Sequence, residues 1–367
     1  VRRVRRYPMN RYPRLVINAE AIEHNTRLVQ QLCRDNGIML SVVTKGFSSM
    51  PKLVSSISKI NPIFSDSRIE TIKQMREAGI NGHITLIRSP MMSEAKDVIN
   101  NCNMSFHVDK AVLKHFDEVA GRLSKKHDVL LMCDVGDLRE GPFYDEEVVE
   151  LAEYIENDLP NLYLAGLGTE FACYGSIRPT PKNLGVLSDR ATAIEEKIGR
   201  KLKYISGGGT SSLALVVQGK MPEKINHLRV GEGINIGREM GEIWNAPLDG
   251  IRHDVFTLEA EVTETRKKPT YPIGEFAVDA FGQEPEYVDR GDRTRAIVAL
   301  GKKDVFDPHQ LIPTVEGIDF LGGSSDITII DIEDCKEEIK AGDILKFGLR
   351  YPTMLFSSVT DVYKVYE

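Results

Sequence analysis

Ser41-Val42-Val43-Thr44-Lys45-Gly46-Phe47 is a β-branched run that closes on a lysine, a glycine and an aromatic ring. Val42 and Val43 favour a strand and Gly46 interrupts it, so Lys45 stands where a strand passes into a loop. An amine there, walled by Val42, Val43 and Phe47, is partly withdrawn from water, the setting in which lysines act as nucleophiles. Taken alone, the pattern more often marks a solvated surface lysine at a strand end. The rest of the chain decides.

Upstream, Leu15-Val16-Ile17 is followed by Asn18, a helix N-cap candidate, and then by Ala21, Ile22, Asn25, Leu28, Val29 and Leu32 at helical spacing. Downstream, short apolar runs recur at 62–66, 84–88, 104–108, 129–134, 162–168, 202–206 and 227–230. Helical patterns separate them, clearest in Ala111, Val112, Leu113, Phe116, Val119, Ala120 and Leu123. Counting the Lys45 strand, eight strand-helix units point to a closed (β/α)8 TIM barrel. A dinucleotide-type open sheet is disfavoured, because no glycine fingerprint follows the first strand.

Past Trp244 the texture changes. Phe256, Leu258, Ala260 and Val262 alternate with Thr257, Glu259, Glu261 and Thr263, the period of a half-buried strand. Further strands are expected at 295–300, 318–321, 327–332 and 343–347, joined by turns such as Lys268-Pro269 and Gly322-Gly323. The expected organisation is a basic tail over 1–11, a barrel over 12–245 and a mainly-β domain over 246–367.

Composition agrees with two domains: 367 residues, 41% hydrophobic and 28% charged, describe an ordinary protein able to bury a large core. A net charge of −7 argues against a nucleic-acid surface, and no apolar run is long enough to span a membrane. Arg2, Arg3, Arg5, Arg6, Arg11 and Arg14 crowd the start without an apolar core behind them, which reads as a frayed tail rather than a signal peptide. The cysteines Cys33, Cys102, Cys133, Cys173 and Cys335 are odd in number and hold no Cys-x-x-Cys pair, and the eight histidines show no ligand spacing. No metal site is expected, and a reducing cytoplasm fits best.

In a barrel of this kind the C-terminal strand ends carry the chemistry. They deliver Lys45, Arg88, Asp134-Val135-Gly136-Asp137-Leu138-Arg139-Glu140-Gly141, Gly168-Thr169-Glu170-Phe171, Ser206-Gly207-Gly208-Gly209-Thr210-Ser211-Ser212 and Arg229-Val230-Gly231-Glu232-Gly233. Three glycines before Thr210, Ser211 and Ser212 at a helix start read as a phosphate cradle, with a flexible turn as the plainer alternative. Arg139 and Arg229, beside Glu140 and Glu232, also suit structural ion pairs. A lysine, arginines and two glycine loops on one rim suit an anionic cofactor bearing an aldehyde.

This set of residues resembles the alanine racemase family of pyridoxal-phosphate enzymes, from about Tyr12 to the C-terminus. The likeness is greatest to its ornithine racemase branch, through Asp66-Ser67-Arg68-Ile69, Gly136-Asp137-Leu138-Arg139-Glu140-Gly141, Thr210-Ser211-Ser212, Arg229-Val230-Gly231-Glu232 and Asp279-Ala280-Phe281-Gly282. The resemblance implies pyridoxal 5'-phosphate as cofactor and interconversion of L- and D-ornithine or lysine by proton abstraction and return on opposite faces. It makes Lys45 the Schiff-base lysine and one of two acid/base groups. Arg139 would reach the cofactor's phenolic oxygen, Arg229 its pyridine nitrogen, and Thr210 with the backbone of Gly231 and Glu232 its phosphate. The carbamylated-lysine position of some members falls on Met132. A head-to-tail homodimer is also implied, each β domain closing the partner's barrel.

Three positions depart from the family pattern. Gly301-Lys302-Lys303-Asp304 has a lysine where alanine racemases carry the second base, a tyrosine, so Lys302 is the candidate there and an exposed lysine the plainer alternative. Glu170 replaces a ring-packing histidine, and Gly209 a frequent asparagine. Glu170 lines the cofactor pocket and either receives a substrate's terminal ammonium or pairs with Arg139 or Arg229. Arg88 either takes the substrate carboxylate or forms a structural ion pair. A racemase for alanine or serine, a non-catalytic pyridoxal-phosphate carrier, a decarboxylase and a metal-dependent aldolase of the same fold are the alternatives. The β domain argues against the carrier, and the lack of a His or Cys pair against the aldolase.

Overall fold

The computed structural model describes residues 11–278, 281, 282, 284 and 286–367. Arg2, Arg3, Arg5 and Arg6, and the Asp279-Ala280 pair of the quoted segments, lie outside the described residues. By contacts the chain forms two units. One is Glu20–Arg252; the other joins the described residues up to Ala19 with His253–Glu367.

The first strand, β1 (Arg14–Ile17), belongs to the second unit. The expected barrel began at residue 12; the observed division comes after β1 because its ladder bonds go to strands of the C-terminal segment. At the other end the division falls at Arg252/His253 rather than at residue 245.

The unit Glu20–Arg252 is a closed barrel of eight parallel strands: β2 (Met39–Val43), β3 (Ile63–Asp66), β4 (His83–Leu86), β5 (Met104–His107), β6 (His127–Met132), β7 (Leu162–Gly168), β8 (Tyr204–Ser206) and β9 (His227–Val230). Every expected strand is present. The barrel closes by pairing β2 with β9, which sets Ser41 beside Arg229 and Val42 beside Val230. Helices follow the apolar spacing: Lys110–Arg122 buries Leu113, Phe116, Val119 and Ala120. Its start is fixed by Asp109, whose carboxylate accepts from the N–H groups of Ala111 and Val112 at 2.8 and 3.1 Å.

Part of the barrel core is ordinary packing of Met104, Phe106, Leu130, Met132, Ala165 and Tyr204. Polar groups are buried as well, and several hydrogen-bond to one another. Ser105 Oγ lies 2.9 Å from His107 Nε2 and 2.8 Å from His127 Nε2, and Ser206 Oγ lies 2.7 Å from His227 Nδ1. Burial holds all of these imidazoles far below the usual histidine range, to about 3 for His107, about 4 for His127 and about 3 for His227.

The second unit is built on β10 (Phe256–Pro269), flanked by β11 (Asp292–Val298), β12 (Ile312–Pro313), β13 (Asp319–Gly323), β14 (Thr328–Asp331), β15 (Ile344–Gly348) and β16 (Tyr363–Tyr366). The sheet order is β12-β15-β10-β11-β14-β13, with β1 joining β10 to β16. Phe256, Leu258, Ala260 and Val262 are buried, as their alternation requires. On the opposite face Glu259 is buried too, because the register places Arg14 and Lys346 on either side of it, at 2.6 and 3.2 Å. Arg11, expected in the tail, donates to the Tyr363 hydroxyl at 3.2 Å. Strands β12 and β16 and the helix Tyr351–Val359 were not expected from the sequence. Among the described residues no helix is long and apolar enough to cross a membrane.

Candidate active site

Lys45 follows β2 and opens a single 3-10 turn, Lys45–Phe47. Val42, Val43 and Phe47 are buried around it and Lys45 itself is half-buried. Among the described residues its amine has no ion-pair partner. Gly231, after β9, packs so tightly on β2 that a Cβ there would lie 3.2 Å from that of Val43. The loop after β9 therefore lies against the strand that carries Lys45.

Arg229 is the most constrained group of the rim. Its guanidinium sits 5.0 Å from the centre of the Phe106 ring, and Nη1 donates to Ser206 Oγ. Nη2 donates to Thr169 O at 2.7 Å and to Glu170 Oε2 at 2.9 Å. Nε has no partner among the described residues although it is buried. Since arginine only donates, Ser206 accepts from it and passes its own proton to His227 Nδ1, which makes His227 an Nε2–H tautomer.

Glu170 is thus paired with Arg229, one of the two arginines expected for it. Its other oxygen, Oε1, accepts from Phe171 N at 3.1 Å. A Cβ at Gly209 would lie 3.1 Å from the Arg229 carbonyl, a tight approach, and 3.6 Å from Glu170 Oε1, an ordinary contact.

The helix start expected after the three glycines is present. The helix Thr210–Val217 begins directly after Gly209, and the first turn of a helix leaves its N–H groups without intrahelical acceptors. Thr210 Oγ1 accepts from Gly233 N at 3.1 Å, which ties the two glycine loops together. Gly208, at φ +106°, has no room for a Cβ, which would stand 2.7 Å from Ser212 Oγ. Glu232 starts the next short helix, and its Oε1 accepts from Arg238 N at 2.9 Å and Glu239 N at 3.2 Å. Burial, with the Glu239 carboxylate nearby, pushes it up to about 7.

Arg139 lies 3.7 Å from Glu140. Burial opposes its charge, but Glu140, then Cys173 and Glu170, raise its pKa above the ordinary arginine value. Its loop is held by side chains whose part the sequence did not disclose. Asp134 accepts from Gly136 N and Arg139 N at 2.7 and 2.9 Å, and Arg190 donates to the carbonyls of Asp134 and Phe143. Cys173, on the loop after β7, is within electrostatic reach of Arg139, Lys45 and Glu170. Its residue is exposed, yet its sulfur is desolvated enough, with Glu170 adding to the effect, to raise the thiol above its usual range. No sequence signal singles it out, since it belongs to no cysteine motif.

Arg88 is in an ion pair with Glu94 at 2.6 Å, and Nε donates to Ser67 O at 3.1 Å. A cavity of about 410 Å³ opens there, lined by Ser67, Arg68, Glu70, Arg88, Met91 and Glu94. Met132 is fully buried. Lys302 belongs to the other unit, in the turn Lys302–Val305, with Nζ 3.9 Å from the centre of the Phe281 ring. Asp304 accepts from Gly301 N at 2.9 Å and Lys303 pairs with Asp326, so those neighbours have structural roles.

The barrel rim thus brings Lys45, Arg139, Glu170, Thr210, Arg229, Gly231 and Glu232 into one unit. The family model of the alanine racemase N-terminal domain matches residues 17–237. A lysine racemase of Thermotoga maritima is 37% identical over 97% of this chain and 99% of its own length. An ornithine racemase of Acetoanaerobium sticklandii is 35% identical over 94% of this chain and 96% of its own. The chain belongs to the alanine racemase family. Among solved structures, alanine racemase from Streptomyces lavendulae superposes with a TM-score of 0.75 at 16% identity, over 97% of this chain and 98% of that one. D-threonine aldolase from Filomicrobium marinum gives 0.73 at 15% identity, over 95% and 88%. At such identities the likeness is one of fold.

Proposed function

We propose that the protein is a pyridoxal-phosphate-dependent racemase that interconverts the L and D forms of ornithine or lysine. The observation that carries this reading is the near-complete alignment with relatives named lysine racemase and ornithine racemase. The residues of the rim fit the cofactor. Arg229 keeps a buried Nε–H without an acceptor among the described residues, the glycines at 208, 209 and 231 let the loop backbones pack closely, and the helix that opens at Thr210 begins directly after the first of these loops.

In this reading Lys45 holds the cofactor's aldehyde carbon, Arg139 its phenolic oxygen, and Thr210 with the backbone of Gly231 and Glu232 its phosphate. When bound, the cofactor withdraws electrons from the substrate's Cα–H bond and so acidifies it. Arg229, cationic and anchored to Glu170, Thr169 and Ser206, keeps the ring nitrogen unprotonated and limits that withdrawal, which favours return of the proton to Cα. Lys45 moves the proton on one face and Lys302 on the other; one base alone tends to return the proton to the side it left. Glu170, besides pairing with Arg229, faces the substrate's terminal ammonium, and Arg88 its carboxylate. The active form is a cytoplasmic homodimer in which Lys302 serves the partner's barrel.

The test is Cα-proton exchange and chirality followed by NMR in heavy water, with L-ornithine, L-lysine, L-alanine and L-serine side by side. Exchange with inversion, fastest for ornithine or lysine, is expected; bound cofactor without exchange on any of them would refute the reading. Mixing inactive Lys45→Ala and Lys302→Gln chains should restore activity if sites are shared between subunits.

A further inference from the structure

The segment Asp66-Ser67-Arg68-Ile69 has no part in the chemistry above, yet its carboxylate is among the most heavily bonded groups of the barrel. Asp66 ends β3, is 1% exposed, and forms no ion pair among the described residues. A buried carboxylate without a counter-charge persists only where hydrogen bonds satisfy it. Here Oδ1 accepts from Arg68 N at 3.0 Å and Thr71 Oγ1 at 2.7 Å. Oδ2 faces the neighbouring strand end, where Ser49 Oγ lies 2.5 Å away and Thr44 Oγ1 3.0 Å.

Thr44 and Ser49 bracket the turn that carries Lys45. Their hydroxyls are 2.7 Å apart, and Ser49 N donates to Thr44 O at 3.1 Å, so the turn is closed at its base by one carboxylate oxygen and two buried hydroxyls. Between them the backbone is strained: Ser48 and Ser49 have φ of 52° and 47°, left-handed values that serine rarely adopts. Such a turn keeps its shape only if something outside it enforces that shape. A carboxylate suits the task because it only accepts, so both hydroxyls are drawn toward it.

We propose that Asp66 is a positioning residue for Lys45: through Thr44 and Ser49 it holds the strained turn in the one conformation that presents the amine to the cofactor. The proposal rests on the assignment of Lys45 as the cofactor-binding lysine.

The test uses the full-length protein stripped of cofactor. Amide hydrogen exchange over residues 44–50 is measured first. Pyridoxal phosphate is then added, and its attachment is followed by borohydride quenching and peptide mass mapping. In Asp66→Ala and in Ser49→Gly, which keeps the left-handed backbone without strain, exchange should accelerate and attachment to Lys45 should slow by about tenfold or more, the factor expected for a lost charge-assisted hydrogen bond. Thr71→Val removes a bond to the other oxygen of the same carboxylate; it should lower the melting temperature yet leave attachment at the wild-type rate. If Asp66→Ala fails to fold, Ser49→Gly and Thr71→Val still make the comparison. Attachment to Lys45 at the wild-type rate in Ser49→Gly, or equal slowing in Thr71→Val, overturns the proposal alone. Attachment of the wild type at a different lysine overturns the assignment of Lys45 and the proposal with it.

Discussion

Arg229 and Glu170 form a 2.9 Å ion pair in which the arginine side chain is 1% exposed and the carboxylate 20%. The guanidinium is the member that cannot do without a partner, since removal of one half of a buried pair leaves the other uncompensated. Glu170→Gln keeps an acceptor and loses the charge, so it should cost about 1–2 kcal/mol in denaturant unfolding; Glu170→Ala should cost about 3 kcal/mol. If Glu170 also meets the substrate's terminal ammonium, Glu170→Gln should raise the KM for ornithine far more than for alanine. An equal rise for both would leave Glu170 as a partner of Arg229 alone.

Lys302→Gln tests the second acid/base group. The expected result is a fall in racemisation of 10²-fold or more, the usual range for loss of a general acid/base, with Cα-proton exchange retained for one enantiomer and without inversion. Racemisation at the wild-type rate would remove Lys302 from the mechanism.

Buried histidines predict the acid side of the stability curve. His83, His107, His127 and His227 are held to about 4, 3, 4 and 3 by burial. Their folded values lie below the unfolded value of about 6.5, so their contribution is complete above that pH and is lost as pH falls toward 3–4. Each should steepen the loss by about 1.4 kcal/mol per pH unit in that window. Denaturant titrations between pH 7 and 4.5 should give a slope approaching four protons taken up on unfolding, and His107→Gln should reduce it by about one.

Glu232 acts in the opposite direction. Its folded value of about 7 lies above its usual 4.5, so its contribution is complete below 4.5 and is lost as pH rises through 7. Glu232→Gln, neutral at every pH, should therefore gain about 2 kcal/mol relative to wild type between pH 5 and pH 8 in the cofactor-free protein. A pH-independent difference would show that the carboxyl ionises normally.

Much of this was legible without coordinates. The eight barrel strands follow from apolar runs at regular spacing, because a parallel strand buried on both faces is apolar throughout. Lys45, Arg139, Thr210 and Arg229 could be gathered on one rim because a (β/α)8 barrel presents all its strand ends on one face. The alternation along β10 does not disclose that Glu259 is buried; its burial depends on Arg14 and Lys346, which lie far away in sequence and meet it only through strand register. Strand β1 was assigned with the barrel for a similar reason: its apolar run is compatible with either unit, and only its pairing with β10 and β16 selects one.

The sequence by itself determined the barrel, the β unit and the rim residues, because periodicity and turn chemistry are local and follow from residue type. Only the tertiary structure decided that Glu170 pairs with Arg229, that Ser206 passes Arg229's hydrogen bond on to His227, and that Asp66 closes the turn of Lys45. Each of these joins residues on different strands. Their partners are set by the register and closure of the barrel, which no local pattern encodes.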